Sequence, residues 1–153
     1  MIDDRDRALA AAALAFACAT GFGSAVAIRD EVPGEPFHIR VPLSVPWAVL
    51  VGWGAGVAAP WPMPVAALWA ARSNHGEGGI GPALICSGVG IGCILGTLIE
   101  PVTYRRWSWS RATRTAILLN VAASIALAAT GLRQVKRLGT VEAGCKPLGS
   151  ILS

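Results

Sequence analysis

The chain has 153 residues, of which 54% are hydrophobic and only 14% are charged, and its formal net charge is +4. A soluble domain carries about 25% charged residues, so this composition excludes a soluble globular enzyme, a disordered tail and a nucleic-acid-binding module. Four stretches contain no Asp, Glu, Lys, Arg or His, namely residues 8–28, 43–71, 79–99 and 115–132. Because a helix of about 20 apolar residues crosses a bilayer, the sequence predicts an all-α integral membrane protein, a four-helix bundle.

The first predicted span covers residues 8–28 and is rich in alanine. A cleaved signal peptide needs a positively charged start, whereas three aspartates and two arginines precede this span. Residues 15–18 resemble a lipoprotein cleavage site, but alanine stands where leucine is usual. We therefore expect a retained helix, with its early carboxylates near the positive end of the helix dipole.

The second predicted span, residues 45–71, is interrupted by prolines. Trp47 and Trp69 lie about 33 Å apart along an ideal helix, and tryptophan favours the two membrane interfaces. Between them stand Pro60, Pro62 and Pro64, each of which removes a backbone donor and clashes with the preceding turn. We expect a kinked or broken helix, either a bend accommodated by packing or a discontinuous helix that lines a binding cavity.

The third predicted span, residues 79–100, carries a stripe of small residues. Gly88, Gly92 and Gly96 are four residues apart and share one helix face, where another backbone can approach closely. Gly52 and Gly56 in the second span offer a matching surface. The spacing predicts helix packing, with a partner either in the same chain or in a second copy.

The fourth predicted span covers residues 112–132. Ser110 is placed to cap the start of this helix. Asn120 and Ser124 share one face, and such side chains usually face the bundle and form hydrogen bonds between helices. The remaining residues, 133–153, form a basic tail that we expect to be partly disordered.

Charge gives little guidance to orientation. Four spans place both ends of the chain on one side, together with seven of the basic residues, and leave six on the other side, whereas the positive-inside rule needs an asymmetry. The basic cluster Arg133, Lys136 and Arg137 favours cytoplasmic ends, and we expect the cell membrane as the location. The positive charges suit anionic lipid headgroups rather than nucleic acid.

The sequence offers few groups for cofactor or metal chemistry. The four cysteines form no C-x-x-C pair, so they predict neither a redox pair nor a zinc site. Cys86 and Cys93 lie about 10 Å apart along one helix, which is too far for a disulfide. His38 and His75 fall on opposite membrane faces in the predicted topology. We therefore expect no cofactor and no metal site.

The strongest candidate for chemistry is a cluster at a membrane boundary. Glu100 ends the charge-free third span, Tyr104 and Arg105 follow it, and His38 lies on the same side of the predicted bundle. These four residues form a candidate polar site, in which desolvation would raise the pKa of the carboxyl and the arginine would lower it. The alternative is an interfacial salt bridge that fixes the end of the span.

Three functions follow as hypotheses. The first is an accessory or interaction subunit without catalytic activity, which packs through the glycine stripe in a homo-oligomer or a larger membrane complex. The second is a small solute transporter or channel, suggested by the proline break and by Asn120 and Ser124. The third is a membrane-embedded enzyme acting on a lipid or quinone at the boundary cluster. The spans lack the ionisable group that proton-coupled transport usually needs, which favours the first.

Overall fold

The computed structural model describes residues 4–32, 43–51, 57–73, 80–100, 104 and 110–144. All regular elements in this part of the chain are helical, which confirms the predicted all-α class. The helices are α1 (Asp4–Arg29), α2 (Val45–Val51), α3 (Pro62–Ser73), α4 (Ile80–Ile99) and α5 (Arg111–Gly144). Three of them, α1, α4 and α5, contain apolar segments long enough to cross a membrane.

Helices α1 and α5 are antiparallel neighbours joined by hydrogen bonds at both ends. Near the start of α1, Gln134 Nε2 of α5 donates to Asp6 Oδ1 at 3.1 Å. Just beyond the end of α1, Thr113 Oγ1 at the start of α5 donates to Asp30 Oδ2 at 2.8 Å. We refer to these two levels of the bundle as the Asp6 end and the Asp30 end.

Helices α4 and α5 are also antiparallel. Gly90 of α4 lies against Ser124 and Ala128 of α5, whereas Gly131, further along α5, lies against the earlier α4 residues Ala83 and Ser87. Since α1 and α4 both run opposite to α5, they run in the same direction. Helix α4 therefore begins near the Asp6 end, although α1 finishes at the Asp30 end.

The segment between α1 and α4 returns along the bundle. Val49 of α2 belongs to a buried cluster with Val26 and Ala27 near the Asp30 end. Ala71 of α3 belongs to a second cluster with Leu9 near the Asp6 end. The segment that contains α2 and α3 thus covers the same length of the bundle as a complete helix, in two short pieces.

The interruption between α2 and α3 is shielded by α1. Residues 57–61 are not helical, and Val57, Ala58 and Ala59 are nevertheless buried. The carbonyl oxygen of Val57 lies 2.5 Å from the position that a Cβ atom on Gly23 would occupy. A glycine in α1 therefore allows the irregular backbone to lie directly on the helix.

The prolines stand just before α3 and in its first turn rather than in the middle of a helix. Pro60 precedes α3, Pro62 is its first residue, and Pro64 is buried in its first turn. A proline in the first turn costs little, because the backbone N–H groups there have no partner within the helix. The described part of the second charge-free stretch accordingly contains two short helices, neither of which meets the length of a membrane span on its own.

Helix α5 extends further than the apolar pattern indicates. The fourth predicted span ends at Leu132, whereas α5 continues to Gly144 through Arg133, Lys136 and Arg137. Lysine and arginine are good helix formers, so a run of charges ends an apolar segment without ending the helix. The rest of the tail, 145–153, lies outside the described residues.

Candidate functional site

The inward face of α4 is formed around Gly90. A Cβ atom on this glycine would lie 2.6 Å from the backbone nitrogen of Ala128 and 2.7 Å from the carbonyl oxygen of Ser124. Gly131 makes the reciprocal contact, since its Cβ would lie 2.8 Å from the carbonyl oxygen of Ala83. Two glycines, one on each helix, thus bring the backbones of α4 and α5 together.

The predicted glycine stripe lies on a different face of α4. A Cβ atom on Gly88, Gly92 or Gly96 would meet no heavy atom of the described residues within 4 Å. Gly52 and Gly56, the surface expected to match them, lie outside the described residues. In the described part of the chain the stripe thus leaves room for added side-chain atoms, and we call Gly88, Gly92 and Gly96 the open glycine face.

Uncharged polar side chains occupy the interior between α4 and α5. Asn120 and Ser124 are 3% and 0% exposed. Asn120 Nδ2 donates to Cys93 Sγ at 3.5 Å, and Ser124 Oγ donates to the carbonyl oxygen of Asn120 at 2.7 Å. Thr97 Oγ1 donates to the carbonyl oxygen of Cys93 at 2.9 Å. This group is polar but carries no charge.

A second polar group joins α1 and α5 at the Asp30 end. Arg29 donates to both carboxylate oxygens of Asp30, with Nε to Oδ1 at 2.7 Å and Nη2 to Oδ2 at 3.0 Å. Ser110 Oγ and Thr113 Oγ1 donate to Oδ2 at 2.6 and 2.8 Å. Ser110 also accepts from the backbone N–H of Thr113 at 3.1 Å, which confirms the predicted cap of this helix. We call these four residues the Asp30 clasp.

Because of the clasp, we expect the free energy of unfolding to depend on pH in the acid range. Hydrogen bonds from Arg29, and then from Ser110 and Thr113, hold the pKa of the Asp30 carboxyl well below its usual range. A carboxyl with a depressed pKa stabilises the fold above its unfolded pKa of about 3.9. We expect the stability difference between the native protein and Asp30→Asn to be constant from neutral pH to about pH 5, and to shrink below about pH 4.

The measurement is the denaturation midpoint of both proteins across this pH range. Asp4→Asn is the matched control, because the Asp4–Arg7 pair is exposed and 3.5 Å apart, and such pairs contribute little. A difference between native protein and Asp30→Asn that does not shrink in acid would contradict the role of the ionised carboxylate.

Of the predicted boundary cluster, the structure describes two residues. Glu100 follows α4 directly, and its backbone N–H donates to the carbonyl oxygen of Gly96 at 3.1 Å. The Tyr104 hydroxyl donates to the carbonyl oxygen of Leu98 at 2.7 Å. Tyr104 thus satisfies one of the carbonyl groups that a helix leaves open at its C-terminus. Arg105 and His38 lie outside the described residues.

The cysteines do not gather into a site in the described chain. Cys86 and Cys93 are buried on α4, Cys18 is exposed on α1, and Cys145 lies outside the described residues. Cys86 Sγ donates to the carbonyl oxygen of Ala67 at 3.6 Å, which joins α4 to α3. Among the described residues, no group of three or more His, Cys, Asp or Glu side chains is placed to hold a metal ion.

Three structural features are not apparent from the sequence pattern. Gly23 and Gly131 are close-contact positions, but nothing in their local sequence separates them from glycines that face open space, such as Gly21. The partners Asp30 and Ser110 are 80 residues apart, so a single sequence does not pair them. Ser110 alone carries a local signal, because it directly precedes an apolar helical stretch.

Comparisons with protein-family models, with curated proteins and with solved structures find no match.

Proposed function

We propose that this chain is an integral membrane protein with four crossings that acts as an assembly subunit and binds another transmembrane helix through the open glycine face of α4. The observation that carries the proposal is the contrast between two sets of glycines on one helix. Gly90 packs against α5, whereas a Cβ on Gly88, Gly92 or Gly96 would meet no described atom of another helix within 4 Å. The described intramolecular packing of α4 thus leaves the stripe free for another helix.

The physical properties of the bilayer support the binding of another helix at the open glycine face. Lipid chains are as apolar as leucine, so helices associate in a membrane through close van der Waals contact, which small residues allow. The apolar window of α4 is also the least buried of the three, at 28% against 50% for α1 and 39% for α5. Leu84 and Leu95 on α4 are exposed, so a partner helix there would meet large apolar side chains beside the groove.

The course of the chain supports four crossings. If α1, α4 and α5 span the bilayer, the return segment must cross it as well, because α1 and α4 run in the same direction. Trp47 and Trp69, on α2 and α3 respectively, are 61% and 65% exposed, as expected for side chains at the two interfaces. The buried residues 57–59 also fit a membrane setting, where irregular backbone must be covered by protein or line a water-filled cavity.

An even number of crossings places both ends of the sequence on the same side. We assign that side to the cytoplasm of the cell membrane, because Arg133, Lys136 and Arg137 follow the last apolar stretch on α5. Basic residues next to a span are retained on the cytoplasmic side and attract anionic lipids there.

Assembly is tested by a substitution on the open face. We expect Gly92→Leu to abolish co-purification of the partner, or to convert a homo-oligomer to a monomer, because a leucine side chain holds the backbones apart. The variant should keep the fold of the single chain, since a Cβ at this position would meet no described atom of another helix within 4 Å. Native mass spectrometry from mild detergent measures the assembly and shows whether the partner is a second copy.

Gly21→Leu is the matched control, because a Cβ on Gly21 would also meet no described atom of another helix, but Gly21 lies on α1. We expect this variant to assemble like the native protein. An unchanged assembly in Gly92→Leu, or an equal loss in Gly21→Leu, would contradict the role of the α4 face. A chain that is monomeric and without partners before any substitution would contradict it as well.

A further inference from the structure

Two buried polar atoms in the helix interior have no hydrogen-bond partner among the described residues. They are the hydroxyl oxygen of Thr20 on α1 and the side-chain carbonyl oxygen of Asn120 on α5. Thr20 is 0% exposed and Asn120 is 3% exposed. Because the large majority of buried side-chain polar atoms find a partner in protein or ordered water, two such atoms call for an explanation.

Thr20 also departs from the behaviour of the other hydroxyls in these helices. Seven hydroxyls of the described helices donate to the carbonyl oxygen of the residue four positions earlier, namely those of Ser24, Ser73, Ser87, Thr97, Thr115, Ser124 and Thr130. This local bond satisfies a hydroxyl inside an apolar helix. Thr20 does not make it, so its hydroxyl remains available to a group outside its own helix.

Helix geometry places Thr20 and Asn120 within about one helical turn of each other along the α1–α5 interface. Asp6 and Gln134 are joined by a hydrogen bond across this interface. Thr20 follows Asp6 by two heptads, and Asn120 precedes Gln134 by two heptads, which is about 21 Å along each antiparallel helix. Two heptads are close to four complete turns, so both residues also return to nearly the same face as the bonded pair.

Helix α4 lies beside α5 at the position of Asn120. One N–H of the Asn120 side-chain amide donates there to Cys93 Sγ at 3.5 Å. The Asn120 carbonyl oxygen is thus left as an acceptor, and the Thr20 hydroxyl is able to donate or accept. A guest that suits both atoms is small and neutral, donates a hydrogen bond to the Asn120 oxygen, and either donates to or accepts from the Thr20 hydroxyl.

We infer that Thr20 and Asn120 form one buried site that binds an ordered water molecule between α1 and α5. The water donates to Asn120 Oδ1 and is bonded to Thr20 Oγ1, which gives both atoms a partner. Buried waters typically bind such otherwise unsatisfied groups. Both side chains are uncharged, so the site suits a neutral guest rather than an ion. This inference does not depend on the proposed role in assembly.

Water-edited solid-state NMR of the protein in lipid bilayers tests the site. The chain contains two asparagines, Asn74 and Asn120, so labelling asparagine side chains with ¹⁵N gives two amide signals, and Asn74→Ser identifies that of Asn120. We expect magnetisation transfer from water to the Asn120 amide in the native protein. The transfer should persist in Thr20→Ser, which keeps the hydroxyl, and disappear in Thr20→Val, which has the same shape without it.

Three outcomes would overturn the inference. They are no transfer to Asn120 in the native protein, unchanged transfer in Thr20→Val, and loss of transfer in Thr20→Ser as well as in Thr20→Val. The last would assign the effect to packing rather than to the hydroxyl. All of these variants preserve Asn120, so the test does not depend on the stability of a chain that lacks it.

Discussion

Replacing Gly23 with alanine is expected to destabilise the fold by about 2–3 kcal/mol, the upper part of the range for overpacking a core. The added Cβ would lie 2.5 Å from the carbonyl oxygen of Val57 and 3.2 Å from the Cβ of Ala58. The nearest atom belongs to backbone, so it cannot move aside by a side-chain rotation. The segment that contains α2 and α3 would have to move away from α1, and the buried residues 57–59 would become exposed.

Gly21→Ala is the matched control for this experiment. Gly21 lies on the same helix, and a Cβ there would meet no described atom within 4 Å. Alanine is the better helix former by about 1 kcal/mol, so this variant should be as stable as the native protein or more so. SDS titration in mixed micelles, followed by tryptophan fluorescence, gives both values. Equal stability of the two variants would show that the contact between α1 and Val57 does not hold the return segment.

The second large effect is expected at Gly90, where α4 and α5 meet. Gly90→Ala places a Cβ 2.6 Å from the backbone nitrogen of Ala128 and 2.9 Å from its Cβ. We expect a loss of about 2 kcal/mol, because two helices packed through backbone contact must separate to admit a methyl group. The same titration measures the loss.

Gly92→Ala provides the comparison within the same helix. It lies two residues further along, on the open face, where a Cβ would meet no described atom. We expect its unfolding free energy to equal or exceed the native value, since alanine favours the helix. If Gly92→Ala were the more damaging of the two, the assignment of the inward and outward faces of α4 would be wrong.

The all-helical class could be predicted from the distribution of charged residues along the chain. The exclusion of charge from long stretches indicates apolar helices, and three of the four stretches contain a helix of sufficient length. The orientation of α4 could not be predicted, because this helix is apolar on all sides and its sequence has no polar stripe to mark the outward face. Gly88 and Gly90 are two residues apart and differ only in the direction in which they point.

The contacts between residues that are far apart in the chain could not be predicted from the sequence either. In the sequence, Asp30 is a charged residue near the end of an apolar stretch. Only folding brings it into contact with Ser110 and Thr113. The proline run likewise predicts an interruption but not its partner, which is Gly23 of α1. In both cases the information lies in the packing of helices that are far apart in the chain.

The four-crossing topology is tested by locating the two ends of the sequence relative to the membrane. Reporters fused to each end of the sequence show on which side of the membrane residues 1 and 153 lie, through their accessibility to protease in sealed vesicles. If the return segment with α2 and α3 crosses the bilayer alongside α1, α4 and α5, both reporters lie on the same side. Reporters on opposite sides would show three crossings, and would contradict the return segment as a broken transmembrane helix.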